Sequence, residues 1–191
     1  MSHPTTSRAF FDRIYLQDAD PWRFASSEYE LGRYEVTMQA LSTRRYRHAF
    51  EPGCSIGVLT ERLATICECV DAIDISSTAV RQASLRCSRL SNVTIRQGAL
   101  PTDIPAGTFD LLVLSEIGYY FDSAQLRSLI DDLVGRMSSG SVFLAVHWLG
   151  SSPDHILSGS KVHEVISSAE TLTQDLGENH TEFLLGRWVC K

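Results

Sequence analysis

Between Glu51 and Asp74 the chain carries residue types that can hold a nucleotide. Glu51-Pro52-Gly53-Cys54-Ser55-Ile56-Gly57 sets an acid, two glycines and a small hydroxyl residue at alternate positions, and Asp74 follows 17 residues after Gly57. A glycine turn after a strand lets backbone approach a ligand, and the helix that follows offers free N–H groups. An acid at the end of the next strand accepts hydrogen bonds from both ribose hydroxyls and repels a 2′-phosphate. The dinucleotide fingerprint needs a further glycine to pack the helix on the sheet. Val58, Leu59 and Thr60 stand there instead, so an NAD(P)-dependent oxidoreductase fits badly. Ser55 occupies a usual glycine position, an exchange expected to be tolerated if its φ is negative.

Such a loop needs strands and helices to position it, and the pattern supplies them. Strands are expected over "RHAFEPG", "VDAIDIS", "NVTIRQG", the apolar start of "TFDLLVLSEIGYYF", "SVFLAVHWLG" and "TEFLLGRWVC". Between them, helices are expected over "GVLTERLATIC", "SSTAVRQASLRCSRL" (N-capped by Ser76 or Ser77), "SAQLRSLIDDLVGRM" and "GSKVHEVISSA". This alternation predicts an α/β, doubly wound, mostly parallel Rossmann-like sheet with right-handed crossovers. Residues 1–45 are rich in aromatics and predict two helices, the second near Ser27–Leu41, broken apart at Asp20-Pro21. The chain is read as one domain, with a helical segment 1–45 and an α/β core 46–191. In the tail, Thr171–Asp175 and Thr181–Cys190 form a hairpin around "LGEN", or else the sheet is one strand short.

The 191 residues, 43% hydrophobic, describe an ordinary globular chain, and a net charge of -6 argues against nucleic acid or an anionic membrane as partner. The basic run "RRYRH" reads as a solvated helix end. Five scattered cysteines do not suggest a disulfide framework or a zinc site, and the histidines, His3 included, lack metal-like spacing. No apolar run approaches a membrane span or signal-peptide core, so a cytoplasmic protein is expected.

The loop resembles that of Rossmann-like S-adenosylmethionine (SAM)-dependent methyltransferases, acidic-x-G-x-G-x-G followed by a ribose-binding acid. Across "DPWRFASSEYELGRY", "ALSTRRYRHAFEPGCSIGVLTERLA", "FDLLVLSEIGYYF" and "AVHWLG…GSKVHEVI" the chain is similar to a narrower family, the rhizobial nodulation N-methyltransferases (NodS). That resemblance implies SAM as cofactor, with S-adenosylhomocysteine as product. As acceptor it implies the free amine of a chitooligosaccharide deacetylated at its non-reducing end, a precursor of the lipo-chitooligosaccharide Nod factor. The alternatives are a methyltransferase for another small amine or hydroxyl, and a binding protein that has lost turnover.

On this reading Glu51, Gly53, Ser55, Gly57, Asp74, Ile75 and Ser115 contact the cofactor. Ala99 stands where many such enzymes have an adenine-binding acid, so backbone of Gly98, Ala99 and Leu100 is expected to hold the base. N-terminal helices often fold over the cofactor, which makes Tyr15, Trp22 and Tyr29 lid candidates, and Arg33 a partner for the methionine carboxylate; plain core packing is the other reading. Glu116 and His147, at the ends of the fourth and fifth strands, are the candidates to orient the amine and take its proton. Tyr119, Tyr120 and Trp148 are candidate sugar-packing aromatics, and Asp122 either binds hydroxyls or caps the following helix.

Overall fold

A computed structural model describes residues 7–191; the opening residues of the expected helical segment, with His3, lie outside them. The first two helices are α1 (Arg8–Gln17) and α2 (Glu28–Leu41). Pro21 ends the run between them, and Asp20 there accepts the amides of Phe24 (2.7 Å) and Ala25 (2.9 Å). The rest alternates as β1 (Tyr46–Pro52), α3 (Val58–Leu63), β2 (Cys67–Asp74), α4 (Ser77–Arg86), β3 (Val93–Gln97), β4 (Phe109–Ser115), α5 (Ser123–Val134), β5 (Met137–Trp148), α6 (Gly159–Ser167), β6 (Leu172–Asn179) and β7 (Phe183–Cys190).

The strands form one seven-stranded sheet in the order β3-β2-β1-β4-β5-β7-β6. All neighbours are parallel except β7, which runs antiparallel to both β5 and β6. β4 and β5 are buried on both faces, which explains their unbroken apolar runs. One apolar layer packs α2 and α3 on the sheet through Tyr34, Leu41, Leu59 and Leu63, and the other packs α5 and α6 through Leu126, Ile130, Val162 and Ile166. The order of strands reverses between β1 and β4, and ligands of such sheets bind beyond the carboxyl ends there.

Two expectations about local structure need correction. α3 stops at Leu63, and Cys67 begins β2 instead of ending the helix. β6 runs through "LGEN", so the hairpin turns at His180–Glu182 and the sheet has its full complement of strands. The period-2 signal of β6 is weak because this edge strand is largely exposed.

Gly57 caps α3 with φ +79°, and a Cβ there would lie 3.0 Å from Ala83 Cβ and 3.1 Å from Ala83 Cα on α4. Gly57→Ala should lower stability by about 1–3 kcal/mol, through left-handed strain and crowding of α4 together. Gly140 has a similar φ of +80° but open space, so Gly140→Ala should cost only the strain. Equal losses in denaturant titrations of the two variants would show that the α3–α4 approach does not matter.

Candidate active site

The loops after β1, β2, β3, β4 and β5 open on one cavity of about 1260 Å³, roofed by α1 and the start of α2. Gly53, Ser55, Asp74, Ile75, Gly98, Ala99, Leu100 and Ser115 lie in its wall, as do Tyr15, Trp22, Tyr29, Glu116, Tyr119, Tyr120, Asp122 and Trp148. Glu51, Gly57, Arg33 and His147 do not line it.

At the nucleotide end, Asp74 holds the loop. Its Oδ2 accepts the Ser55 amide (2.9 Å) and its Oδ1 the Ser76 amide (2.8 Å). Each oxygen keeps a second lone pair, which suits two vicinal hydroxyls. Burial pushes this carboxyl up to about 6, against the pull of the two amides. A Cβ on Gly53, where φ is +76°, would strike Ile117 at 2.4 Å, so only glycine keeps this turn. Tyr29 lines the same cavity and its buried hydroxyl has no partner among the described residues, a polar atom suited to a ligand. The residues present therefore fit a nucleoside-bearing cofactor.

Ser55 is not tolerated for the reason expected. Its φ is +50°, not negative, a conformation costing a side chain on the order of 1 kcal/mol. Its amide bond to Asp74 and a 2.5 Å hydrogen bond between its hydroxyl and Tyr15 Oη hold it there. The tyrosine comes from α1, which is pinned a second time where Asp12 accepts the Ser76 hydroxyl (2.6 Å).

Three cofactor expectations are also revised. Glu51 lies beneath the loop, 3% exposed, and accepts the Thr60 hydroxyl (2.6 Å); burial pushes its carboxyl up to about 8. Gly57 serves helix packing. The amides of Gly98 and Ala99 are already given to Asp74 O (3.0 Å) and Asp103 Oδ2 (2.8 Å), so these two N–H groups are not left to donate to a base. Asp103, an acid folded back onto this loop from four residues downstream, was not foreseen because it follows the motif position instead of filling it.

At the other end stands Glu116, with φ +60°. Its Oε1 accepts the Trp148 amide (2.9 Å) and an Arg33 N–H, and its Oε2 accepts the Tyr119 hydroxyl. Burial pushes the carboxyl up, while Arg33, Tyr119 and the amide pull it back. Arg33, 2% exposed, is shared between Glu116 and Glu30, so it does not present itself for a cofactor carboxylate. Burial alone would lower its pKa, but the two carboxylates outweigh that and hold it charged.

His147 is withdrawn as a candidate base. Neighbouring residues of a strand point to opposite faces, and while Trp148 reaches the cavity, His147 turns under α6. It is fully buried, its Nε2 accepts the Gly118 amide (3.1 Å), and its Nδ1 lies 3.3 Å from His163 Nε2. Burial drives its pKa well down and keeps it neutral. Asp122 caps α5 by accepting the Ala124 (2.9 Å) and Gln125 (2.8 Å) amides, and it also lines the cavity. Sequence reasoning missed Glu30, Asp154, His155 and Glu182 in the wall. Glu30 had a signal, its i,i+3 spacing to Arg33; the loop residues had none. Among the described residues no lysine or arginine lines the cavity.

A family model described as Nodulation protein S (NodS) matches residues 7–176. Nodulation protein S of Bradyrhizobium diazoefficiens is 30% identical over 140 residues, 72% of this chain and 65% of that protein. The chain thus spans a little under two thirds of the length of the curated relatives it matches. Among solved structures, N-methyltransferase NodS from Bradyrhizobium japonicum WM9 in complex with S-adenosylhomocysteine superposes with a TM-score of 0.84 at 24% identity, covering 96% of this chain and 98% of that one. A candidate methyltransferase of Pseudomonas syringae is 34% identical with a TM-score of 0.76, covering 85% of this chain and 99% of that one.

Burial pushes Asp74 up to about 6, and hydroxyl donors favour its ionised form, so a ribose expected at this carboxylate binds only once it is deprotonated. Calorimetry with S-adenosylhomocysteine should show affinity falling as pH drops below about 6, by up to tenfold per unit. Asp74→Asn should bind weakly at pH 8 and show no such fall. Constant wild-type affinity from pH 8 to 5 would remove the ribose role.

Proposed function

The chain belongs to the nodulation protein S family, and on that premise we propose that it is a SAM-dependent N-methyltransferase. Its acceptor in this reading is the free amine of a chitooligosaccharide deacetylated at the non-reducing end, on the way to a lipo-chitooligosaccharide signal. The observation that carries the amine is the acceptor end of the cavity: Glu30, Glu116, Asp154 and Glu182 line it with no lysine or arginine among the described residues. Such a wall attracts an ammonium and repels carboxylate or phosphate acceptors. Trp22, Tyr120 and Trp148 line the cavity and supply aromatic surface for the C–H faces of a sugar.

Bound SAM supplies an electrophilic methyl group on a sulfonium. Gly53, Ser55, Asp74, Ile75 and Ser115 fix the cofactor, with Leu100 packing on the base. The protein's largest contribution is holding donor and acceptor in line, worth up to about 7–11 kcal/mol in well-oriented systems. Glu116, itself locked by Arg33, Tyr119 and the Trp148 amide, orients the amine by accepting one of its N–H bonds. Tyr15, Trp22 and Tyr29 belong to a helical lid that keeps water from the reacting atoms, carried on one domain with the α/β core. No helix among the described residues is long and apolar enough to cross a membrane, and five scattered free thiols suit the cytoplasm.

A second reading, a methyltransferase for another small amine or hydroxyl, is favoured by one fact: the Pseudomonas syringae relative shares more identity than the nodulation proteins do. Mass spectrometry separates the two. Incubation with SAM and a chitin tetramer bearing one non-reducing-end amine should add methyl to the sugar, and the fully acetylated tetramer should gain none. Glu116→Gln should still bind S-adenosylhomocysteine while methyl transfer falls by about 10²-fold. No methylation of the tetramer, with S-adenosylhomocysteine still bound, would discard this acceptor and keep the cofactor.

A further inference from the structure

With His147 buried, the proton of the acceptor amine needs another destination. Glu116 is taken up otherwise: Arg33, Trp148 and Tyr119 already donate to its two oxygens, and the one lone pair left is the one that orients the amine. The Tyr119 hydroxyl is committed to Glu116 and burial drives its pKa well up. Among the described histidines, His48 is bonded to Asp71 (2.8 Å), His180 to Glu178 (2.8 Å), and His163 pairs with His147. His155 alone of them lies in the cavity wall.

Its placement is fixed by backbone. The amides of Ile156 and Leu157 both donate to Tyr119 O (2.8 and 3.1 Å), and the His155 amide donates to Ser152 O (3.0 Å). These bonds lay the imidazole flat on the Tyr119 ring, centroids 3.7 Å apart and 17° from parallel. The same phenol ring carries the hydroxyl that holds Glu116, so one ring separates the imidazole from the carboxylate. Among the described residues no hydrogen bond engages its ring nitrogens, and the residue lines the cavity. We infer that His155 is the catalytic proton acceptor, taking the amine's proton directly or through one bridging water while Glu116 orients the nitrogen. This assignment rests on the amine-methylation reading above.

The step balances. The amine enters as an ammonium, and its proton passes to an imidazole nitrogen. The freed lone pair forms the N–C bond as the C–S bond breaks and that electron pair stays on sulfur. The imidazolium then returns the proton to solvent through the cavity mouth, and the product leaves as a secondary ammonium. The groups facing the imidazole agree with this. Asp154 lies beside it, holding the Ser152 hydroxyl; Tyr119 and Tyr120 face it from the turn after β4, Trp148 from the end of β5, and His147, buried behind, stays neutral. Burial lowers the imidazole's pKa and Asp154 opposes that, so it is a free base at neutral pH.

The test uses wild type, His155→Gln and His155→Ala with SAM and three amines: the deacetylated tetramer, glucosamine and a simple primary alkylamine. For whichever amine wild type methylates, kcat should fall with an inflection below pH 6.5. Both variants should lose about 10²-fold in kcat at pH 7 with little change in KM, and the inflection should move up toward the amine's own pKa. Added imidazole should restore part of the rate to His155→Ala, and S-adenosylhomocysteine affinity and melting temperature should be unchanged. By NMR, the His155 ring signals of the wild type should shift when that amine is added to the S-adenosylhomocysteine complex. Variants within about twofold of wild type with the same inflection, or ring signals that ignore the amine, would overturn the assignment. Methylation of the alkylamine alone sinks the oligosaccharide acceptor and leaves His155 to be judged by the same profile. Methylation of none overturns both.

Discussion

The guanidinium of Arg33, buried between Glu30 and Glu116, ties the two halves of the molecule together. It brings a charge from α2 to the carboxyl end of β4, where the sheet opens on its cavity. A buried charge is stable only with its partners in place, and removing one partner from such a pair typically costs about 3–5 kcal/mol. α2 therefore cannot drift from the sheet without stranding Arg33 and loosening Glu116. Glu116 in turn fixes the end of β5 through the Trp148 amide and the turn after β4 through Tyr119. A glutamate at φ +60° persists because these bonds over-determine it, as strained residues at functional sites commonly are.

The same logic recurs at the nucleotide end, with hydrogen bonds in place of charges. Ser55 sits in a left-handed conformation that glycine would adopt freely, and its hydroxyl reaches Tyr15 on α1. A glycine there would relieve the backbone and release the helix. Asp12 repeats the connection at the start of α4, where its carboxylate accepts the Ser76 hydroxyl that caps the helix. The departure from the usual glycine loop is thus a link between loop and roof. It ties the conformation of the cofactor loop to the position of α1.

The fold was legible because its signals are local. Apolar runs at Leu111–Leu114 and Phe143–Val146, breakers at Asp20-Pro21 and a glycine loop before Val58 each specify an element without reference to the others. Asp74 and Glu116 were legible for a similar reason, since strand ends in a parallel sheet point to one edge. What failed was direction within an element. His147 and Trp148 are neighbours on a strand that is apolar on both faces, so no alternation told which one meets the cavity. Arg33 was placed on the roof, but its side-chain partners come from two other elements, and spacing along one helix shows only Glu30. His155 lies in a loop with no period at all, and its place against Tyr119 follows from two amides that bind Tyr119 O.

Charge explains why these misplacements matter to the chemistry. Arg33 sits behind the wall with 2% of its side chain exposed, so it offsets one carboxylate without facing the cavity. The remaining acids, Asp154 and Glu182 among them, leave the acceptor end negative in a region partly screened from solvent. A cation gains from entering such a site, and its proton is correspondingly harder to remove. On the amine-methylation reading, a site that collects ammonium ions in this way needs a neutral group inside the same wall to free the lone pair. Another carboxylate there would deepen the trap, whereas an imidazole held neutral by burial accepts the proton and then sheds it.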